Sequence, residues 1–136
     1  MHASGRRLIP AYGLGCCVEY RQIFFTGQQA ASKRNRVFAR RMGHEPRVAF
    51  LSYSNFGNPP GEFVGNLRGA VQLLDERGVG FEYEGEMSAD VALNPGLRKL
   101  YPFSRLSGPA NVLIMPGLHS ANIAPKLVKE LAGGSV

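Results

Sequence analysis

The chain has 136 residues, a length that suits a single hydrophobic core, and a net charge of +6. Residues 1–47 carry a net charge of +7 and the rest carries −1, which argues against a nucleic-acid partner, because such a partner requires a basic patch on the folded part. No apolar run approaches the roughly 18 residues of a bilayer span, so we expect no membrane association.

Residues 1–34 form a basic leader without a sustained helical or strand period. We expect this leader to be disordered and to lie outside the folded domain, with Gln22 to Ser32 as its one patch of mixed helical character. An arginine-rich, acid-poor leader also fits an organellar transit peptide, and that alternative stays open. Cys16 and Cys17 are adjacent, and a disulfide between neighbours strains the peptide, so we expect two reduced thiols in a cytoplasmic protein.

Apolar runs and helical spacing alternate after the leader. Apolar residues among the arginines of Arg34–Met42 predict a helix that Gly43 ends. Val48–Leu51 is a short apolar run typical of a buried strand. The polar segment Ser52–Gly61, rich in glycine and proline, predicts a loop after that strand.

The next predicted elements are a helix and a strand. Five apolar residues recur at helical spacing after the loop, and they are Phe63, Leu67, Ala70, Val71 and Leu74. Gly78 and Gly80 are expected to close this helix. Phe81–Glu84 alternates apolar and charged residues, which predicts a strand with one solvated face.

Two short helical turns and a second buried strand are predicted next. Ser88 is placed to cap a turn that runs to Leu93. Asn94 followed by Pro95 is a typical helix start. Asn111–Met115 is an apolar run that indicates a buried, parallel strand.

The last predicted elements are a loop over Pro116–Asn122 and a helix that Gly133 and Gly134 end. This helix carries four apolar residues at helical spacing, namely Ile123, Leu127, Val128 and Leu131. Pro125 is tolerated in a helix only within the first turn. The alternation of strands and helices predicts an α/β fold of three layers, with a mainly parallel sheet between helices.

Three predicted loops follow carboxyl ends of strands, where open α/β sheets bind ligands; they are Ser52–Gly61, Gly85–Asp90 and Pro116–Asn122. In the first, the side chains of Ser52, Ser54 and Asn55 and the backbone at Gly57 suit a phosphate or a carbonyl group. A plain connecting turn that caps the next helix is the other interpretation, and the sequence leaves both open.

Two further candidates also have two interpretations each. Glu86 and Asp90 bring two carboxylates to the end of one strand, where they can bind magnesium or relay a proton. Alternatively, they cap a helix or pair with an arginine. His119, in the last loop, is either a general base or a residue that braces the loop.

Three segments occur in the order found in one protein family: VAFLSYSNFG at 48–57, EGEMSADVAL at 84–93, and GPANVLIMP at 108–116 with SANI at 120–123. On these motifs the chain resembles the phosphate acetyl/butyryltransferase family, and within it the phosphotransacetylase-like C-terminal domain of bacterial hybrid NADP-dependent malic enzymes. The resemblance implies the isocitrate/isopropylmalate-dehydrogenase-like phosphotransacetylase fold, with residues 35–136 forming an incomplete copy of that domain.

Members of this family move an acyl group between phosphate and coenzyme A. The resemblance therefore implies acyl-CoA, acyl phosphate or phosphate as ligand, no covalently bound cofactor and no metal. It also implies a cytoplasmic homo-oligomer. The residues to which it assigns ligand binding are Ser52, Ser54, Asn55, Gly57, Glu86, Asp90 and Asn122.

The chain departs from the catalytic pattern of the family. Active members carry a lysine in the first loop, where Phe56 stands, and a carboxylate after the last apolar strand, where Gly117 stands. The family's Ser-Arg-Gly motif and its catalytic aspartate would lie beyond the last residue. We therefore expect regulatory binding of acyl-CoA or phosphate and subunit association; an active acyltransferase completed by another chain is the alternative.

Two further expectations concern the parent enzyme and the sheet. Malic-enzyme oxidoreductase chemistry requires a Gly-x-Gly-x-x-Gly turn for the nucleotide, and the sequence has none. A parallel sheet that lacks its next strand has an open edge that favours association. We therefore expect the isolated chain to be oligomeric or poorly soluble.

Overall fold

Six strands form one sheet in the computed structural model, which describes residues 9–11, 16–19, 22–26, 40, 43, 45–62 and 64–132. The strands are β1 (Ile9–Ala11), β2 (Cys16–Glu19), β3 (Gln22–Thr26), β4 (Arg47–Leu51), β5 (Glu82–Met87) and β6 (Val112–Met115). The helices are α1 (Val64–Glu76), α2 (Ala89–Leu93), α3 (Pro95–Arg98) and α4 (Leu118–Ala132). None of the helices in these ranges has both the length and the apolar character that crossing a membrane demands.

The strand order is β1-β2-β3-β6-β4-β5. The pairings of β3 with β6, β6 with β4 and β4 with β5 are parallel, whereas β1 with β2 and β2 with β3 are antiparallel. Val48 in β4 lies opposite Val112 in β6 and Tyr83 in β5. This register brings the carboxyl ends of three neighbouring strands to one edge of the sheet.

Alternate residues of the central strands face two separate apolar layers. Val48 and Phe50 pack with Leu67 and other apolar residues of α1 on one face. Ala49 and Leu51 pack with Val91 of α2 and its neighbours on the other face. Because a strand alternates its side chains between faces, an entirely apolar strand fits only a sheet covered on both sides. The predicted three-layer α/β class with a mainly parallel sheet is confirmed.

Most predicted elements after residue 47 occur where the pattern placed them. The predicted strand at Phe81–Glu84 extends further, to Met87. Gly78 follows α1 with a positive φ of 54°, as a helix-closing glycine does. Phe63 and most of the helix predicted before Gly43 lie outside the described residues. Gly43 has a φ of 79°.

The leader contains strands that the sequence analysis missed. The prediction of disorder is wrong for the segments that form β1, β2 and β3, and the helical character predicted from Gln22 is wrong as far as Thr26. The reason is tertiary: β3 pairs in parallel with β6, so that Phe24 lies opposite Leu113. Such a distant partner leaves no trace in local periodicity. The division of the chain at residue 34 stays a prediction.

The last helix begins earlier than predicted. Leu118–Asn122 is part of α4 rather than a loop, so Pro125 stands in the interior of the helix and not in its first turn. Gly117 provides the start, because its carbonyl accepts from Ala121 N at 3.0 Å and from Ser120 Oγ at 2.8 Å. Pro125 has no N–H and leaves the Ala121 carbonyl without its helical donor, yet its ring is buried.

Candidate functional site

The loop after β4 packs on the end of β5. Ser52 N donates to the carbonyl of Met87 at 2.9 Å, and Phe56 N donates to the carbonyl of Glu86 at 2.9 Å. These bonds extend the parallel pairing of the two strands into the loop. Two of the predicted ligand loops, Ser52–Gly61 and Gly85–Asp90, therefore lie in direct contact, at the edge where ligands of open α/β sheets bind.

Glu86 is the centre of a small polar cluster, which we call the Glu86 cluster and which comprises Ser54, Gly57, Arg68 and Glu86. The residue is fully buried, as is Ser54. Its Oε1 accepts from Ser54 Oγ at 3.2 Å, from Gly57 N and from Arg68 Nη2 at 3.3 Å. Its Oε2 accepts from Arg68 Nε at 3.1 Å. One carboxylate thus connects the loop after β4, helix α1 and strand β5.

These contacts decide the charge state of Glu86. Burial raises the pKa of its carboxyl, but the hydrogen bonds from Arg68 and from backbone N–H groups, that of Gly57 among them, outweigh burial and hold the pKa below its ordinary value. Glu86 is therefore a carboxylate at neutral pH. A general base near neutral pH needs a raised pKa, which this environment does not provide.

Gly57 is required by both conformation and space. Its φ is 96°, in the region that favours glycine, and a Cβ at this position would lie 2.1 Å from Arg68 Nη2. Glycine therefore allows the guanidinium of Arg68 to approach both the loop backbone and Glu86.

Replacing Gly57 with alanine is expected to lower the free energy of unfolding by about 2 kcal/mol, because the positive φ is strained and Arg68 must move. Urea denaturation measures the change. Gly69→Ala is the matched control: Gly69 is inside α1, a Cβ there would meet nothing within 4 Å, and alanine should stabilise by about 0.5–1 kcal/mol. Equal effects at the two positions would contradict the packing argument.

Asn55 joins the loop to the start of α2. Its Oδ1 accepts from Ser88 N at 2.8 Å and from Ser88 Oγ at 3.0 Å. Ser88 occupies the predicted N-cap position, but its side chain makes no capping hydrogen bond to the helix. The sequence therefore predicted the N-cap position of Ser88 correctly, but the Ser88 hydroxyl donates to Asn55 and does not cap the helix. At the next turn, Asn94 Oδ1 accepts from Gly96 N at 2.8 Å, as predicted for a cap.

The remaining predicted ligand residues, Ser52, Asp90 and Asn122, are not part of the Glu86 cluster. Ser52 Oγ accepts from Ser54 N at 3.3 Å. Asp90 is exposed in the first turn of α2, where a hydrogen bond with the Ser88 side chain and then one with the N–H of Val91 hold its pKa below the ordinary value. Asn122 is exposed on α4.

The structure gives different surroundings to the two carboxylates that were considered as a magnesium pair. Glu86 is buried and paired with Arg68, whereas Asp90 is exposed. Among the residues that the structure describes, no three His, Cys, Asp or Glu side chains form a group suited to a metal ion. Pairing of Glu86 with an arginine, the alternative from the sequence, is what occurs. His119 is exposed in the first turn of α4 instead of in a loop.

The sequence analysis missed an aromatic cluster beside the loop. Phe56 lies 4.8 Å from Phe103 and 5.2 Å from Tyr101 between ring centroids. It also missed Arg68. The sequence alone does not show whether Arg68 or Arg77, at the far end of the same helical segment, contacts Glu86. The available signal was that Arg68 directly follows Leu67, a residue predicted to face the core.

Comparisons with known proteins agree with this picture. The family model described as phosphate acetyl/butaryl transferase matches residues 29–136. The NADP-dependent malic enzyme of Rhizobium meliloti is 57% identical over 98 residues, which are 72% of this chain and 13% of that protein. The phosphate acetyltransferase of Treponema pallidum is 43% identical over 106 residues, 76% of this chain and 31% of that protein. The family resemblance drawn from the three motifs is confirmed.

Solved structures match the fold over almost the whole chain. The EutD phosphotransacetylase from Staphylococcus aureus superposes with a TM-score of 0.73 at 26% identity, covering 94% of this chain and 41% of that one. A phosphotransacetylase from Streptococcus pyogenes gives a TM-score of 0.75 at 22% identity. The chain spans less than half the length of each of these relatives.

Proposed function

Because the chain belongs to the phosphate acetyl/butaryl transferase family, we propose that it is a cytoplasmic, regulatory binding domain for acyl-CoA or phosphate that also associates with other subunits. In this proposal it does not catalyse acyl transfer. The ligand binds at the loop after β4, where Ser52, Asn55 and the Glu86 cluster meet.

The observation that carries the proposal is the state of the Glu86 cluster. A base for the CoA thiol must accept a proton, but the lowered pKa of Glu86 makes its carboxylate a weak base, and this carboxylate is buried and already accepts hydrogen bonds from three residues. Phe56 offers an aromatic ring where active relatives have lysine. The loop therefore lacks both a strong base for the thiol and a lysine that would stabilise the phosphate that leaves when the acyl group is transferred.

Binding has separate support from Arg68. Glu86 engages Nε and Nη2 of the guanidinium and fixes its position, while 49% of the Arg68 side chain stays exposed beside the loop. A fixed, partly exposed guanidinium suits an anionic ligand, because arginine binds phosphate and carboxylate groups through planar hydrogen bonds. The phosphates of acyl-CoA and free phosphate both have this chemistry.

Calorimetric titration with acetyl-CoA, acetyl phosphate and inorganic phosphate tests the binding. We expect saturable binding of at least one of them, weakened at least tenfold in Arg68→Lys, because lysine cannot make the planar contact. Arg77→Lys, the same change in an exposed arginine after α1, is the control and should bind as the wild type does. Absence of binding by the folded wild type would overturn the proposal.

A coupled assay with acetyl phosphate and CoA tests the absence of catalysis. The expected result is no turnover above the uncatalysed rate by this chain alone. Clear turnover would favour the alternative function, an active phosphate acyltransferase, and turnover that appears only after a second family chain is added would show that another chain completes the site.

A further inference from the structure

Helix α4 has a row of apolar side chains that faces away from the sheet. Ile123, Leu127 and Leu131 are one turn apart and 54%, 54% and 85% exposed. The opposite side of the helix is the one that packs, since Ala121 and Pro125 are buried. We call the exposed row the α4 stripe.

The α4 stripe is unusual for a solvent-exposed helix. Single exposed apolar residues are normal on protein surfaces, but a contiguous patch marks an interaction site. Helical residues four apart lie on the same face, so the three side chains form one continuous surface. Val128, on one flank of the stripe, is partly exposed and widens it.

We propose that a second copy of this chain packs antiparallel on the α4 stripe. The inference rests on the subunit association proposed above and names its surface. The arrangement is isologous, as most dimers are: Leu127 faces the partner's Leu127, and Ile123 faces the partner's Leu131.

Charge complementarity favours this occupant and this direction. Lys126 and Glu130 each precede a member of the stripe by one residue, so both lie on the same flank, and both are exposed. In an antiparallel pair centred on Leu127, like flanks meet, so Lys126 faces the partner's Glu130 and Glu130 faces the partner's Lys126. In a parallel pair this flank would meet the partner's other flank, with Ala124 and Val128, and form no ion pair.

The size of the surface predicts a weak dimer. A helix of 15 residues is about 22 Å long, and one face of it contributes fewer residues than the roughly 20–30 per partner of a stable interface. We therefore expect a concentration-dependent equilibrium between monomer and dimer.

Sedimentation velocity across a hundredfold range of concentration tests the surface. The wild type should approach the mass of a dimer at high concentration, and Leu127→Glu should dimerise at least tenfold more weakly. Leu100→Glu is the matched control, since Leu100 is 72% exposed outside α4, and should behave as the wild type does. A wild type that stays monomeric throughout overturns the inference, as does a Leu127→Glu variant that still dimerises.

Charge exchange tests the direction. Lys126→Glu makes the flank wholly acidic and Glu130→Lys makes it wholly basic, so each variant alone should dimerise several-fold more weakly than the wild type. An equimolar mixture should recover dimers of mixed composition, detectable by tagging one variant. Failure of the mixture to associate while both variants keep wild-type helix content by circular dichroism overturns the antiparallel pairing.

Acetyl-CoA titration into Leu127→Glu separates this inference from ligand binding. Leu127 lies on α4, outside the Glu86 cluster, so the variant should bind as the wild type does. Loss of dimers with retained binding supports the α4 stripe and leaves the ligand proposal standing. Wild-type dimers that do not bind acetyl-CoA, acetyl phosphate or phosphate would end the ligand proposal alone.

Discussion

Replacing Glu86 with alanine is expected to lower the free energy of unfolding by about 3 kcal/mol, because buried hydrogen-bonding groups lose their charged acceptor. Ser54 Oγ and Gly57 N both donate to this carboxylate. Ser54 is fully buried, so its hydroxyl would lose a partner that water does not replace. Arg68, half exposed, can return to solvent and adds less to the cost.

Two control variants separate this effect from a general loss of charge. Glu86→Gln keeps one carbonyl oxygen for Ser54 and Gly57 but opposes an amide N–H₂ to Arg68, and should cost about 1–2 kcal/mol. Glu62→Ala removes an exposed carboxylate near the same loop and should change stability by less than about 0.5 kcal/mol. Urea denaturation measures all three; equal effects of Glu86→Ala and Glu62→Ala would refute the role of the cluster.

The same carboxylate predicts how stability depends on pH. Arg68 and the N–H groups outweigh burial and depress the pKa of Glu86 in the folded state, so the unfolded chain binds the proton more readily. Its contribution is therefore fully present above the unfolded pKa of about 4.3 and is lost as pH falls through the folded pKa. Between about pH 5 and 3, the wild type should lose more stability than Glu86→Gln.

The elements that sequence predicted well are those whose patterns are local. Val48–Leu51 and Val112–Met115 are buried at every position, and a wholly apolar run admits few other structures in a chain of this size. The location of the loops with the family motifs could be inferred from these strands, because the carboxyl ends of parallel strands lie at one edge of the sheet. The position of the candidate site therefore followed from the predicted strands.

The parts that sequence missed depend on partners far along the chain. β3 exists because β6 lies beside it. The pairing of Arg68 with Glu86 depends on the direction in which α1 crosses the sheet, which no spacing rule gives. Glu86 was assigned to ligand binding from its motif, but the structure shows its oxygens engaged by the protein itself.

Arg105 has a comparable role at the edge of the sheet formed by β5. Tyr83 and Glu84 are neighbours in β5 and lie on opposite faces of the sheet. The guanidinium of Arg105 is 4.7 Å from the centre of the Tyr83 ring, and its Nε donates to Glu84 Oε2 at 3.2 Å. Nη1 donates to Asp75 of α1 at 2.5 Å. One side chain therefore reaches around the edge strand and connects both layers.

Replacing Arg105 with alanine is expected to lower the free energy of unfolding by about 2–3 kcal/mol. The Glu84 side chain is only 7% exposed, so it loses its ion-pair partner in a poorly hydrated place. Backbone N–H groups of Arg105 and Gly85 still donate to it, which limits the cost. Arg105→Lys should recover less than half, because one ammonium cannot contact all three groups.

Arg40→Ala is the control for Arg105→Ala, and thermal unfolding compares them. Arg40 also forms an ion pair, with Glu45 at 3.2 Å, but the Glu45 side chain is 75% exposed, and such surface pairs contribute under about 1 kcal/mol. If Arg105→Ala and Arg40→Ala lose equal stability, the contacts of Arg105 with both layers do not stabilise the fold more than an exposed ion pair does.

The carboxyl of Asp75 provides a readout that general destabilisation would not change. Its pKa is held below the ordinary value first by the hydrogen bond from Tyr83 and then by that from Arg105. In Arg105→Ala the pKa of Asp75, followed by NMR titration of the folded protein, should rise but stay below its ordinary value, because Tyr83 still donates at 2.5 Å. In Tyr83→Phe the pKa of Asp75 should rise more than in Arg105→Ala, because the hydrogen bond from Tyr83 is the larger cause of the lowered pKa. An unchanged pKa in Arg105→Ala would mean that the guanidinium does not reach α1 in solution, and Arg105 would then contact only Tyr83 and Glu84 of β5.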